Sequence, residues 1–182
     1  MVGGLPGSGK STLADAIAKE TGAVVLRTDE VRKELAGVGL TEELPAEMYS
    51  TEMKVATYSE VLKRAKAVIE SGEDLVLDAT WSKADSRVPV REMAKESGVG
   101  LLLEVNCVAS KEVLAARLGG RPKERAHGSD AGVAVMEAMA FDDWPEALVV
   151  DATKSVAEMQ EAVKVAVAQG LAGQDDLVRG VS

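Results

Sequence analysis

Hydrophobic and polar residues follow a regular pattern along the chain, in which short aliphatic runs are separated by longer helical stretches. Four runs are nearly continuous in apolar residues, which is typical of strands in a sheet covered by helices on both faces. We predict strands at residues 23–27, 74–78, 99–105 and 147–151. Because these strands alternate with helices, the pattern favours an α/β fold with a mostly parallel sheet.

The longest helical stretch is predicted to begin near Pro45 or Ala46 and to end at Gly72. Apolar residues at helical spacing define one face of it. The residues of this predicted inner face are Val55, Tyr58, Leu62, Ala65 and Ile69.

A final helix is predicted to open at a capping box, because Ser155 is followed three residues later by Glu158. Its periodicity is lost after Gly170, so we expect one domain over residues 1–169 and a flexible tail over 170–182. The predicted inward residues of this helix are Val156, Met159, Val163 and Val167.

The segment from Gly4 to Ser11 reads GLPGSGKS and fits the phosphate-binding pattern G-x-x-x-x-G-K-[ST] at every fixed position. Its glycines allow successive backbone N–H groups to face phosphate oxygens, Lys10 brings a positive charge, and the Ser11 hydroxyl is a ligand for Mg²⁺. A chance match in a glycine-rich loop is the alternative, but a helical pattern follows at once. The predicted nucleotide contacts are Gly4, Leu5, Pro6, Gly7, Ser8, Gly9, Lys10, Ser11 and Thr12.

A strand of about five residues normally leads into such a loop, but only Met1 to Gly3 precede Gly4. We therefore expect a first strand that is truncated, either by a start placed too far downstream or by excision from a longer chain. The alternative is a functional protein that tolerates a short first strand. The expected fold is a three-layer α/β/α sandwich of about five strands with a short arginine-bearing lid.

Charge and composition narrow the classes of partner. The formal net charge of −9 disfavours binding to nucleic acid, because neutralising phosphates requires clustered Lys and Arg. The single cysteine, Cys107, excludes a disulfide framework and is expected to be a buried thiol. No membrane span or secretory signal is recognisable, so we expect a cytoplasmic protein, and its oligomeric state stays open.

Charged residues follow the second and third predicted strands, where α/β proteins bind their ligands. Asp29 is placed to accept a proton from an acceptor hydroxyl, with Arg32 on the same helical face to hold the substrate. The alternative is that Asp29 caps a helix and Arg32 is solvated. Asp78 is expected to coordinate Mg²⁺ with Ser11, although a role in a turn or cap is the alternative.

Thr80 and Trp81 directly follow Asp78 and are predicted to line the acceptor pocket, although a tryptophan at a strand end is as often part of the core. Arg87, in the first turns of the next helix, is a further candidate for this pocket.

Arginines are also concentrated after a helix that is predicted to end near Leu118. Gly119, Gly120 and Pro122 interrupt that helix, so the following segment is expected to form a lid that closes over the triphosphate. A solvated basic loop is the alternative. The basic residues of this region are Arg117, Arg121, Lys123 and Arg125, beside the single histidine, His127.

Taken together, these motifs resemble the P-loop kinases of the AAA_33 or zeta-toxin-like family, a group similar to the 5′-kinase domain of phage polynucleotide kinase and to chloramphenicol phosphotransferase. The resemblance spans nearly the whole chain and implies ATP, Mg²⁺ and a hydroxyl acceptor that it does not identify. It also implies that Asp29 is the general base and that Arg32 contacts the substrate. The segments that carry it are GLPGSGKST, RTDEVR, LVLDATW, ARLGGR and SDA.

The predicted function is that of an ATP-dependent kinase, in which Lys10, Arg117 and Arg121 stabilise the transferring phosphoryl group. A small-molecule acceptor is favoured over a nucleic acid end, because single strands require stacking platforms and a basic groove. Two other classes stay open: an ATP-binding module that regulates a partner or fused domain, and an ATPase whose acceptor is water.

Overall fold

The computed structural model describes residues 1–42, 44–120 and 132–179, and its centre is a sheet of five parallel strands. Their order across the sheet is β2-β3-β1-β4-β5, so β1 lies in the middle, as expected for the strand before the phosphate-binding motif. The predicted α/β fold is therefore confirmed. The strands are β1 (Val2–Gly3), β2 (Val24–Arg27), β3 (Leu75–Asp78), β4 (Val105–Val108) and β5 (Leu148–Asp151).

Helices cover both faces of the sheet, with α1 and α7 on one face and α2, α3 and α4 on the other. A 3₁₀ turn at Ala46–Tyr49 precedes α3. Within the described ranges, no helix combines the length and the apolar character that a membrane span requires. The helices are α1 (Lys10–Thr21), α2 (Thr28–Ala36), α3 (Thr51–Glu70), α4 (Ala84–Glu96), α5 (Lys111–Gly119), α6 (Val133–Ala138) and α7 (Val156–Arg179).

The alternation of side chains along each strand explains the continuous apolar runs. In β3, Val76 packs with the helices α1 and α7, whereas its neighbour Leu77 packs with α2, α3 and α4. Both faces therefore require apolar residues. Parallel pairing also brings the carboxyl ends of the strands to one edge, where Arg27 is in register with Asp78.

The predicted third strand was placed too early, because β4 begins at Val105 rather than at residue 99. Val105 is the first residue of this run in register with both neighbours, opposite Val2 and Leu148. The preceding leucines, residues 101–103, are partly buried outside the sheet ladder. Aliphatic composition predicted their burial, but the ladder starts only where neighbouring strands supply hydrogen bonds.

Helix α3 begins later than predicted. The Ser50 side chain caps it by accepting a hydrogen bond from the Met53 N–H at 3.2 Å. Its buried face also differs, because Val55 is 61% exposed while Val61 is in the core. The fully buried positions are Thr57, Val61 and Ala65, spaced by four residues.

The capping box of α7 is present as predicted. The Ser155 N–H donates to Glu158 Oε2 at 3.0 Å, and the Glu158 N–H donates to Ser155 Oγ at 3.3 Å. Met159 and Val163 are buried against the sheet. The sequence pattern had indicated that this helix ends near Gly170, but it continues to Arg179. Residues 180–182 lie outside the described residues.

Candidate active site

The predicted phosphate-binding loop connects the central strand β1 to helix α1. Gly4 has a φ of 141°, and a Cβ atom there would lie 2.5 Å from the Cys107 carbonyl oxygen and 2.6 Å from Ser8 Oγ. Only glycine fits this position without a shift of the backbone. Burial raises the pKa of the adjacent Cys107 thiol to about 12, which agrees with the predicted buried cysteine.

At the other end of the loop, Gly9 is left-handed with a φ of 80° and precedes the first turn of α1. A Cβ atom on Gly9 would meet no described atom within 4 Å, so this side of the loop is open. The opening lies at the N-terminus of α1, where free N–H groups and the helix dipole attract anions.

Three polar groups converge beside this opening. Lys10 and Asp78 are buried, with exposed fractions of 6% and 4%. Burial raises the pKa of the Asp78 carboxyl, while the charge of Lys10 and the nearby Ser11 hydroxyl act in the opposite direction. The predicted pair of Ser11 and Asp78 is therefore brought together in the fold.

The Ser11 and Asp78 oxygens suit a Mg²⁺ ion. Asp78 Oδ1 is buried and has no hydrogen-bond partner among the described residues, which leaves its lone pairs available to a ligand. Within the described ranges, no group of three or more His, Cys, Asp or Glu side chains could hold a metal. Two oxygen ligands are nevertheless enough for Mg²⁺, which usually retains water and binds substrate phosphates as well.

On the opposite side of Asp78, the first turn of α2 carries the predicted acceptor residues. Asp29 accepts a hydrogen bond from Arg32 Nη1 at 2.8 Å, and their side chains are 30% and 13% exposed. The Arg32 guanidinium lies 5.6 Å from the centre of the Tyr49 ring. Asp29 is also close enough to Asp78 to raise the pKa of that carboxyl, so both carboxylates belong to one site.

Tyr58, on α3, joins this site, although the sequence pattern assigned it only to a buried helix face. Burial raises the pKa of its hydroxyl, which lies near Thr80, Arg32 and Asp29. Thr80 in turn accepts a hydrogen bond from the Gly4 N–H at 3.2 Å through its backbone. Helical periodicity gave no sign that the hydroxyl of Tyr58 reaches a polar site.

Trp81 does not have the position that was predicted for it. Its side chain is fully buried, and its ring packs edge-on against Tyr58 with the ring centres 5.3 Å apart. Its indole N–H donates to the Leu77 carbonyl at 3.4 Å. Trp81 therefore supports Tyr58 from the core side instead of lining an open pocket.

Arg87 is also a core residue and not a wall of the pocket. It is 1% exposed and donates to the carbonyls of Asp143 at 2.9 Å and Asp142 at 3.1 Å. Its guanidinium lies 4.8 Å from the Trp144 ring centre. This side chain connects α4 to the segment that precedes β5.

The predicted basic residues are only partly within the described structure. Arg117 donates to the Gly7 carbonyl at 3.4 Å and to the Ala152 carbonyl at 2.7 Å, on the outer side of the loop. It lines a cavity of about 330 Å³ together with Lys10 and Thr12. The predicted lid residues Arg121, Lys123, Arg125 and His127 lie outside the described residues.

Arg27 is a residue whose role the sequence analysis missed. It ends β2, and its guanidinium forms ion pairs with Asp15 of α1, with Glu30 of α2 at 3.2 Å and with Asp78 of β3 at 3.4 Å. The available signal was a charged residue that ends an apolar strand and directly precedes the Thr28–Asp29 pair.

A parallel sheet with this loop after its central strand, a buried Lys10 and the Ser11–Asp78 pair defines a P-loop NTPase fold of the kinase-like type. The chain matches the AAA_33 family model, described as an AAA domain, over residues 1–142. It therefore belongs to the AAA_33 family, as the sequence motifs had suggested.

The chain also resembles curated proteins. The chain is 37% identical over 150 residues to uncharacterized proteins of Mycobacterium tuberculosis (strain ATCC 25618 / H37Rv) and Mycobacterium bovis (strain ATCC BAA-935 / AF2122/97). The match covers 79% of this chain but only 29% of each relative, so the chain spans less than a third of their length.

Solved kinase structures share the fold. A gluconokinase from Sinorhizobium meliloti 1021 is 22% identical with a TM-score of 0.62, covering 100% of this chain and 95% of that chain. A sugar kinase from Janibacter sp. HTCC2649 is 18% identical with a TM-score of 0.68, covering 93% of both chains. The Mycobacterium tuberculosis APS kinase CysC, in complex with AMPPNP and APS, is 20% identical with a TM-score of 0.65, covering 89% of this chain and 92% of that one.

Proposed function

We propose that this chain is an ATP-dependent phosphotransferase that transfers the γ-phosphoryl group of ATP to a hydroxyl of a small molecule. The observation that carries the proposal is the position of Asp29 near Asp78, which itself lies near Lys10 and Ser11. A site that only bound ATP would need the phosphate loop but not a second, half-exposed carboxylate beside it. The similar folds of the sugar and APS kinases support the proposal that this chain is a phosphotransferase.

In the proposed reaction, the acceptor oxygen forms a bond to the γ-phosphorus while the bond from that phosphorus to the β,γ-bridging oxygen breaks. The proton of the acceptor hydroxyl passes to the Asp29 carboxylate, and ADP is the leaving group. Lys10 and the N–H groups at the start of α1 stabilise the phosphate charge. Ser11 and Asp78 would hold Mg²⁺, which neutralises charge on the β- and γ-phosphates when it is bound.

Other chain residues have proposed roles around this reaction. Arg32, Tyr58 and Thr80 would orient the acceptor, since their polar groups surround Asp29. The cavity beside Arg117 would receive the nucleoside part of ATP. Arg117 and Arg121 remain proposed to neutralise the transferring group. A small molecule is favoured over a nucleic acid end because the chain has a net charge of −9.

Phosphorus NMR of ATP turnover tests this function directly. We expect a new phosphate ester with one member of a panel of gluconate, other sugars, APS, antibiotics, nucleosides and a 5′-hydroxyl oligonucleotide. Asp29→Asn should reduce the rate of ester formation about 10²- to 10⁴-fold with little change in ATP affinity, because only the proton acceptor is removed. Lys10→Ala is the control that should lose ATP-dependent turnover altogether.

Two results of this experiment would contradict the proposal. Equal rates for Asp29→Asn and the wild-type protein would exclude Asp29 as the general base. ATP consumption that yields inorganic phosphate with every acceptor would indicate an ATPase.

A second candidate is an ATP-binding module that regulates a larger protein. It is favoured by the curated relatives, of which the matched region covers only 29%. This alternative predicts tight ATP binding without formation of any phosphate ester, and Asp29→Asn would then leave every measured property unchanged.

A further inference from the structure

Arg27 lies at the point where the nucleotide side and the acceptor side of the site meet. Its guanidinium contacts a carboxylate from each of three elements: Asp15 on α1, Glu30 on α2 and Asp78 on β3. The Arg27 and Asp78 side chains are only 11% and 3% exposed, so their contact is shielded from solvent, whereas Asp15 is 57% exposed. Helix α1 carries Lys10 and Ser11, and α2 carries Asp29, so one side chain is linked to the elements that carry these three residues and to Asp78.

The contact with Asp78 is directional. Arg27 Nε lies 3.4 Å from Asp78 Oδ2 in an ion pair that is not a hydrogen bond. Both Arg27 Nε and the other carboxylate oxygen, Oδ1, are buried without a hydrogen-bond partner among the described residues. A buried carboxylate oxygen without a partner is costly unless a ligand completes it. The guanidinium therefore attracts Oδ2 of Asp78 by charge alone, and Oδ1 stays available to a ligand.

Charge balance explains why an arginine can occupy this place beside a cation site. A lone guanidinium would repel a divalent cation, but Asp15 and Glu30 also pair with Arg27 and offset its single charge. With these two partners, Arg27 adds no net positive charge beside Asp78. The register of the sheet also brings the two residues together, because Arg27 is the direct neighbour of Asp78 across the parallel strands β2 and β3.

We infer that Arg27 is a positioning residue for the divalent cation, and that it holds Asp78 by Oδ2 so that Oδ1 faces the cation that accompanies ATP. This inference rests on the proposed ATP and Mg²⁺ site, but it does not depend on the identity of the acceptor. Groups that orient metal ligands in this way typically change metal affinity about 10- to 100-fold when they are removed.

The test measures cation binding instead of turnover. Binding of a fluorescent N-methylanthraniloyl ATP is titrated with Mg²⁺ after an initial measurement in EDTA, and Mn²⁺ binding in the presence of ATP is followed by electron paramagnetic resonance. We expect Arg27→Gln to raise the Mg²⁺ and Mn²⁺ concentrations at half-saturation about 10- to 100-fold. Its affinity for the nucleotide in EDTA should stay within about twofold of wild type, since Lys10 and the loop are unchanged.

A matched control is available on α3. Arg64 also pairs with two carboxylates, Glu34 at 2.6 Å and Glu60 at 2.9 Å, but these pairs lie away from Asp78. Arg64→Gln should therefore leave cation binding unchanged. Arg27→Lys keeps the positive charge, so it should recover part of the cation affinity, and it serves as the second variant if Arg27→Gln does not fold.

Each other outcome overturns the inference. A shift below twofold for Arg27→Gln would show that Asp78 needs no such support. Equal losses of nucleotide affinity in EDTA and in Mg²⁺ would indicate that Arg27 has a general structural role. If neither cation changed nucleotide binding by the wild-type protein, there would be no cation site for Arg27 to support. The kinase proposal fails by a different result, namely cation-dependent ATP binding without any phosphate ester.

Discussion

At the scale of single residues, the two end glycines of the phosphate loop are required for different reasons. Gly4 is confined by the Cys107 carbonyl and the Ser8 hydroxyl, so a side chain there collides with the protein itself. Gly9 faces open space, so a side chain there would occupy the volume expected for phosphate. In the sequence motif, both positions simply require glycine. The surrounding atoms show that Gly4 is required by the fold, whereas Gly9 is required by the ligand.

This difference predicts a separation of stability from binding at Gly9. Gly9→Ala should lower the free energy of unfolding by only about 1–2 kcal/mol, the usual cost of a left-handed alanine, but should abolish detectable ATP binding. Gly22→Ala is the matched control, because Gly22 has nearly the same φ, 78° against 80°, and also meets no described atom. Urea denaturation and ATP calorimetry measure the two quantities. Normal ATP affinity in Gly9→Ala would show that phosphate does not approach this residue.

At the scale of secondary-structure elements, helix ends were more predictable where a side-chain cap was visible. The Ser155–Glu158 pair marks the start of α7 in both sequence and structure. Helix α3, by contrast, starts after a separate 3₁₀ turn, and its inner face is rotated away from Val55. Apolar spacing indicates that a helix exists, but which of its faces is buried depends on what packs against it.

The capping box of α7 should have a measurable effect on stability. Ser155→Ala is expected to cost about 1 kcal/mol, because the Glu158 N–H loses its acceptor. For a protein of this size, that corresponds to a melting temperature about 2–4 °C lower. Glu158→Gln should stay near wild type, since glutamine also serves in a capping box, whereas Glu158→Ala should resemble Ser155→Ala. Calorimetry decides this, and equal melting temperatures in all four proteins would contradict it.

At the scale of the whole molecule, two arginines of α4 connect parts of the chain that are distant in sequence. Arg87 joins α4 to the carbonyls of Asp142 and Asp143, 55 or more positions later, and packs on Trp144. Arg91, one turn further on, pairs with Glu104 at 2.6 Å. These contacts fasten the segments before β4 and β5 to α4 on the same side of the sheet, a connection that local sequence does not suggest.

Arg87→Met is therefore expected to destabilise the protein without altering its ligand affinities. Loss of the charged donor leaves buried carbonyls unpaired, which should cost about 2–4 kcal/mol. Thermal denaturation should show a melting temperature lower by about 5 °C or more. Lys95→Met, on the exposed side of the same helix, is the control and should be nearly neutral. A raised KM for the acceptor at unchanged stability would instead indicate that Arg87 lines the acceptor pocket, which was the alternative in the sequence analysis.

The sequence by itself determined the parallel α/β fold, the phosphate-binding loop and the positions of Asp29 and Asp78 at the carboxyl edge of the sheet. These follow from local rules, because periodicity reports burial and the loop motif has a narrow range of conformations. Tertiary structure alone decided that Trp81 and Arg87 are core residues, that the hydroxyl of Tyr58 reaches the site, and that Arg27 contacts Asp78. Such pairs are separated by tens of residues, and their contacts depend on strand order and register, which side-chain patterns along a single chain do not encode.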